Sequence, residues 1–150
     1  METIQLEVSE GIATIRLNRP DALNAMSMQL QGELIDALDA LEQEDSARVV
    51  VVAGNGRVFS AGHDLNDVNG LHADGPVALK EGINRENLRL IARIWSFPKP
   101  TIAAVHGYCL GGAAQLAMLL DVTLGAESCW VAGDPLLVWH SGQPLPTPAH

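Results

Sequence analysis

An α/β layered fold is predicted by this sequence, and three observations carry the prediction. Apolar runs of strand length, Val49 to Ala53, Thr101 to Val105 and Val122 to Ala126, alternate with stretches of helical periodicity. The first run is apolar on both faces, the pattern of a strand in a parallel sheet covered by helices from two sides. The 150 residues, 47% hydrophobic and 18% charged, are a one-domain length able to bury a core.

Each element has its own local signal. Ile4, Leu6 and Val8 alternate with polar residues, Ser9-Glu10-Gly11 supplies a turn, and Ala13, Ile15 and Leu17 alternate again before Asn18-Arg19-Pro20, which reads as a hairpin. Ser27 is placed to cap a helix whose apolar residues Leu30, Leu34, Ile35, Leu38 and Leu41 recur at helical spacing and give way to charge from Glu42 to Asp45. A second helical pattern runs from Arg85 to Trp95 and ends at Pro98 and Pro100. Gly111-Gly112 opens a third helix, through Leu120. From Trp130 to His150 the chain holds four of its eight prolines and no clear period, so residues 129–150 read as a poorly ordered tail on a 1–128 core.

Composition excludes several function classes. Nine Lys and Arg against eighteen Asp and Glu leave a net charge of −9, which disfavours nucleic acid and anionic membranes as partners. The first fifteen residues lack the pattern of a secretory signal, and no apolar stretch reaches the ~18 residues of a membrane span, so the expectation is a soluble, cytoplasmic protein. Cys109 and Cys129 stand twenty residues apart with no CxxC and no histidine at finger spacing; they read as ordinary thiols, and no metal site is expected.

The segment FSAGHDL, Phe59 to Leu65, concentrates the candidate chemistry. A GxG at Gly54 and Gly56 precedes it, but Phe59 stands where a dinucleotide fingerprint has its third glycine and no helix begins there. Ser60, His63 and Asp64 resemble a compressed catalytic triad, yet triad members converge from separate elements, and Ser60 and Asp64 are better suited to satisfying local backbone groups in a turn. His106 is the distant imidazole a serine-peptidase reading would require. The remaining reading uses the main chain. Gly62 permits an unusual backbone, and Gly111-Gly112 precedes a helix whose first N–H groups lack internal partners, so two strand ends could each offer a backbone donor to one carbonyl oxygen. The alternative is that these glycines only allow helix and sheet to pack closely.

Three segments, NRPDALNAMS (Asn18 to Ser27), GRVFSAGHDL (Gly56 to Leu65) and KPTIAAVHGYCLGGAAQLAMLLDV (Lys99 to Val122), resemble the crotonase, or enoyl-CoA hydratase/isomerase, superfamily in order and spacing over about residues 1 to 127. The resemblance implies a crotonase-like layered sheet with flanking helices, here incomplete at the C-terminus. It implies an acyl-CoA thioester as substrate, with coenzyme A carried by the substrate and no separately bound cofactor. It assigns the oxyanion hole to the backbone N–H groups of His63 and Gly112. Substrate-lining backbone falls on Ala22, Leu23, Ala25, Ala61, Gly62, His63, Asp64, Leu65, Gly111 and Gly112, with Arg57 or Lys99 as further candidates toward the CoA phosphates. Family members assemble as trimers or hexamers using terminal helices not represented in this chain.

The sequence also departs from the family. A catalytic Glu usually stands three residues after the second oxyanion glycine, and that position is Gln115, which cannot exchange a proton at neutral pH. The second acid maps to Pro135, with Asp134 beside it, and the family pattern is expected to lapse near Glu127 to Trp130. Two readings stay open: an enzyme of hydratase or isomerase type, and a non-catalytic remnant that binds acyl-CoA.

Overall fold

The structure, a computed structural model, describes residues 1–67 and 76–133, with only the backbone of 76–84. Asp134, Pro135 and the part of the sequence-predicted tail beyond them lie outside the described residues.

The alternating N-terminal pattern forms strands β1 (Ile4–Ser9) and β2 (Ile12–Leu17), paired antiparallel from Ile4 opposite Leu17 to Ser9 opposite Ile12. Helix α1 (Met28–Glu42) starts where Ser27 Oγ accepts the Leu30 N–H at 3.2 Å, the cap read from sequence. Strand β3 (Val49–Gly54) then lies parallel to β2. Helix α2 (Pro76–Trp95) leads to β4 (Thr101–Val105), parallel to β3. Strand β5 (Tyr108–Leu110) leads into α3 (Gly112–Leu119), and β6 (Val122–Gly125) adds in parallel to β4. The sheet order is β1-β2-β3-β4-β6, and β5 pairs separately with β7 (Trp130–Ala132).

The core lies between the sheet and the helices. Ala13, Ile15, Leu17, Val50, Val52, Ala103 and Val105 meet Leu30, Leu34, Leu38 and Leu41 of α1, Leu90 and Ile94 of α2, and Ala113, Leu116 and Ala117 of α3. At about 25 cal/mol per Å² of apolar surface removed from water, this layer supplies most of the drive to fold.

Four sequence expectations need correcting. Helix α2 begins at Pro76, not Arg85: Pro suits a first helical position and residues 77–81 form helices readily, while Gly82 and Asn84 break the visible period. The β3 run is not covered from two sides by the described residues. Val50 and Val52 are buried, but Val49 and Val51 are only half-buried, and on that second face Ile12, Val122 and Leu124 are 45%, 47% and 59% exposed. Three-residue β5 is too short for periodicity to reveal. Finally, Trp130–Ala132 belongs to a strand rather than to a disordered tail, because β5 supplies the ladder partners that three residues cannot signal alone. No helix among the described residues is long and apolar enough to cross a membrane.

Candidate active site

Three turns meet at the ends of the parallel strands. The first follows β2. Arg19 to Asn24 wraps around a short 3-10 turn at Pro20–Ala22, with Leu23 and Asn24 at φ 51° and 53°. Fully buried Asn24 fixes this loop: its Oδ1 accepts Arg19 N–H at 2.9 Å, and its Nδ2 donates to Asn55 O at 2.8 Å and Val58 O at 3.0 Å.

The second turn carries residues 60 to 64. Ser60 N–H donates to Tyr108 O at 3.0 Å and Ser60 O accepts Leu110 N–H at 3.1 Å, which ties the segment to β5. On its other edge Gly62 O accepts Met26 N–H at 2.8 Å, and Asp64 N–H donates to Met26 O at 3.3 Å. This is a parallel bridge between His63 and Met26, in which the peptide groups flanking His63 serve Met26. The N–H of His63 itself is turned away from Met26.

The third turn is Gly111-Gly112, at the start of α3. Gly111 takes φ 53° and ψ −120°, a conformation suited to glycine, and its N–H donates to Ala132 O at 2.8 Å, so β7 helps to set it. Gly112 is the first helical residue, whose N–H has no acceptor within the helix. Gly62, at φ +96°, packs directly on this turn: a Cβ there would lie 2.7 Å from Leu110 O and 3.6 Å from Gly112 N. The glycines read from sequence therefore let two backbone turns touch.

One cavity of about 1010 Å³ opens over these turns, lined by Ala22, Leu23 and Ala25 from the first, Ala61 to Leu65 from the second, and Gly111, Gly112 and Gln115 from the third. Every residue the resemblance assigned to the oxyanion hole, the substrate lining or the family's Glu position meets there. Asp21, Asn66, Met118 and Gly133 also line it and were not anticipated.

The side-chain alternatives are not assembled. Ser60 is fully buried and its Oγ accepts Gly62 N–H at 3.2 Å, while His106 Nε2 is committed to Gly56 O at 2.9 Å. Asp64 Oδ1 accepts Asn66 N–H at 2.9 Å and its Oδ2 meets Arg19 Nη1 at 2.7 Å. Burial pushes the Asp64 carboxyl up, but the Arg19 hydrogen bond, the Asn66 N–H and the guanidinium charge together hold it below the usual value. Gly54 and Gly56 serve a turn, Gly54 against Val58 O and Phe59 O and Gly56 against Pro20, that runs on into the Ser60 segment tied to β5 rather than opening a helix as a dinucleotide fingerprint requires. Lys99 is used structurally, its Nζ donating to Leu41 O and Glu44 O at 2.6 and 2.7 Å beyond the end of α1. Arg57 is exposed and does not line the cavity.

The imidazole of His63 does not point away from the site. A Cβ on Gly112 would fall 2.6 Å from His63 Nε2 and 2.8 Å from Cε1, so the tip of the ring rests on that glycine. Burial pushes its pKa below the ordinary histidine value. Gln115, exposed on α3, accepts from Asn87 Nδ2 at 3.3 Å. Sequence reasoning also missed Arg19 and Asn24 as positioning residues; the one available signal was their place in a turn-forming segment opposite the Gly62 motif.

Comparison with known proteins agrees with this architecture. Residues 7–133 match the family model described as enoyl-CoA hydratase/isomerase, which carries the likeness through β7, past the lapse expected near Glu127 to Trp130. The chain is 39% identical over 127 residues to hydroxycinnamoyl-CoA hydratase-lyase of Pseudomonas fluorescens, covering 84% of this chain and 46% of that protein. It is 37% identical over 129 residues to 1,2-epoxyphenylacetyl-CoA isomerase of Escherichia coli K12, covering 85% and 49%. The crystal structure of an enoyl-CoA hydratase/isomerase from Xanthobacter autotrophicus Py2 superposes with a TM-score of 0.81 at 37% identity, over 89% of this chain and 49% of that one. The chain thus spans about half the length of the curated relatives it matches. With the family model covering most of its length and the three turns in their expected places, the chain belongs to the enoyl-CoA hydratase/isomerase family and has its crotonase-type fold.

Proposed function

We propose that the cavity binds an acyl-CoA thioester and stabilises its enolate on two backbone donors, the N–H groups of His63 and Gly112. The observation that carries this reading is the contact of the Gly62 and Gly111-Gly112 turns, which brings the two residues to one wall with neither N–H engaged by another described group. A thioester oxygen gains charge as the α-carbon loses a proton or the β-carbon is attacked. Fixed amide dipoles then bind the enolate more strongly than the ground state, and one such donor is worth roughly 3 kcal/mol. Family membership supports the substrate class, and hydratase-lyase and isomerase names among the relatives support hydration or isomerisation as the reaction type. No Lys or Arg is among the described residues that line the cavity, which suits the acyl and pantetheine portion better than the phosphates.

Titration with acetoacetyl-CoA tests the reading, since its enolate has a distinct ultraviolet absorbance. Enolate absorbance appearing at a pH where the free thioester is neutral supports it. Failure to bind any CoA thioester overturns it. A second reading, binding without turnover, is favoured by Gln115 at the usual Glu position; crotonyl-CoA hydration separates the two.

A further inference from the structure

We propose that the His63 imidazole is the proton-transfer group of this site, taking the α-proton of a thioester whose oxygen lies on the His63 and Gly112 amides. The proposal rests on the acyl-CoA reading and assigns the acid-base role that Gln115 cannot fill.

Position is the first argument. The ring lies on the cavity wall with its Nε2 end against Gly112, so it borders the point where the carbonyl oxygen would sit, and the α-carbon is one bond beyond the carbonyl carbon. Its nitrogens are the second: neither makes a hydrogen bond with a described residue, whereas the His106 ring is tied to a carbonyl. A half-buried imidazole with uncommitted nitrogens facing a cavity is open to substrate.

The surrounding groups supply the third argument. Asp64 is held by Arg19 and Asn66, and Asp67 Oδ2 accepts Met28 N–H at 2.7 Å. Asp21 is exposed on the first turn. Helix α3, from Gly112 to Leu119, brings no titratable side chain, and Tyr108 and Cys109 of β5 do not line the cavity. Burial pushes the imidazole's pKa below the ordinary histidine value, which favours the unprotonated ring.

The step balances within the site. The unprotonated ring nitrogen takes the α-proton, the C–H electron pair becomes the enolate double bond, and the carbonyl π pair moves to the oxygen held by the two amides. The imidazolium then swaps its proton with solvent and delivers the new one to the α-carbon, giving exchange, or returns a proton to the γ-carbon of an enoyl chain, giving isomerisation.

The experiment follows butyryl-CoA in D2O, reading loss of the α-proton signal by NMR and affinity by calorimetry. His63→Ala is informative because it removes the ring and keeps the amide. Wild type is expected to exchange, with a rate that rises with pH and levels off above a pKa below about 6.5. His63→Ala is expected to bind butyryl-CoA, exchange about 100-fold or more slowly, and recover when free imidazole is added. Exchange by His63→Ala at the wild-type rate overturns the proposal, as does wild-type binding without exchange; either leaves the acyl-CoA reading standing. Wild type that binds no butyryl-CoA removes both.

Discussion

Arg19 Nη1 lies 2.7 Å from Asp64 Oδ2 and 2.6 Å from Ala25 O, so one guanidinium nitrogen joins the first loop of the site to the second. The Asp64 side chain is 7% exposed and that of Arg19 25%. Removing the cation would leave a nearly buried carboxylate without its counter-charge.

Arg19→Met is therefore expected to destabilise the protein by about 2–4 kcal/mol, somewhat less than loss of a fully buried pair, and Arg19→Met with Asp64→Leu to recover part of that. The folded carboxyl titrates lower than the unfolded one, so its stabilisation is complete above about pH 4 and is lost as pH falls through the lower folded value. Urea midpoints of wild type and variant measured from neutral pH to pH 2 should converge on the acid side; parallel curves would show that the pair is energetically idle.

Glu33 of α1 holds the start of β1. Its Oε2 accepts Thr3 N–H and Thr3 Oγ1, each at 2.9 Å, and Glu2 N–H at 3.0 Å. Burial pushes the carboxyl up, but these donors outweigh it and bring it to about 2. Glu33→Gln should cost about 1 kcal/mol at neutral pH. The contribution is present above the ordinary carboxyl value of about 4.3 and disappears as pH falls through about 2. Amide hydrogen exchange at Thr3 and Ile4 gives a local check, with faster exchange in the variant.

Two glycine substitutions should have opposite signs. Gly62→Ala places a Cβ 2.7 Å from Leu110 O at φ +96°, and is expected to cost about 2–4 kcal/mol. Gly32→Ala, inside α1 with nothing within 4 Å of the new Cβ, should gain about 0.5–1 kcal/mol. Thermal unfolding of the two variants beside wild type decides both.

The legibility of this molecule from sequence follows the range of the interactions. The Ser27 cap, the hairpin and the β4 run depend on neighbours within a few residues, and their signals are in the local pattern. The strands β5 and β7 depend on each other from well apart in the chain, and the N-terminal half of α2 has its period broken by Gly82 and Asn84, so periodicity alone could not place them. In the site, the glycine-bearing turns were visible because a positive φ leaves a mark on composition. Arg19 reaching Asp64 across 45 positions, and the His63 ring settling on Gly112, are products of the fold and leave no local trace.

A binding site built from peptide groups has one further property. On the proposed reading, because an amide is common to every residue but proline, drift at positions 63 and 115 would change the acid-base equipment of the cavity while leaving its anion receptor unaltered. Donors that are indifferent to side-chain identity give a scaffold whose chemistry can be rewritten residue by residue without dismantling the fold. In this chain an imidazole stands at one of those positions and an amide side chain at the other.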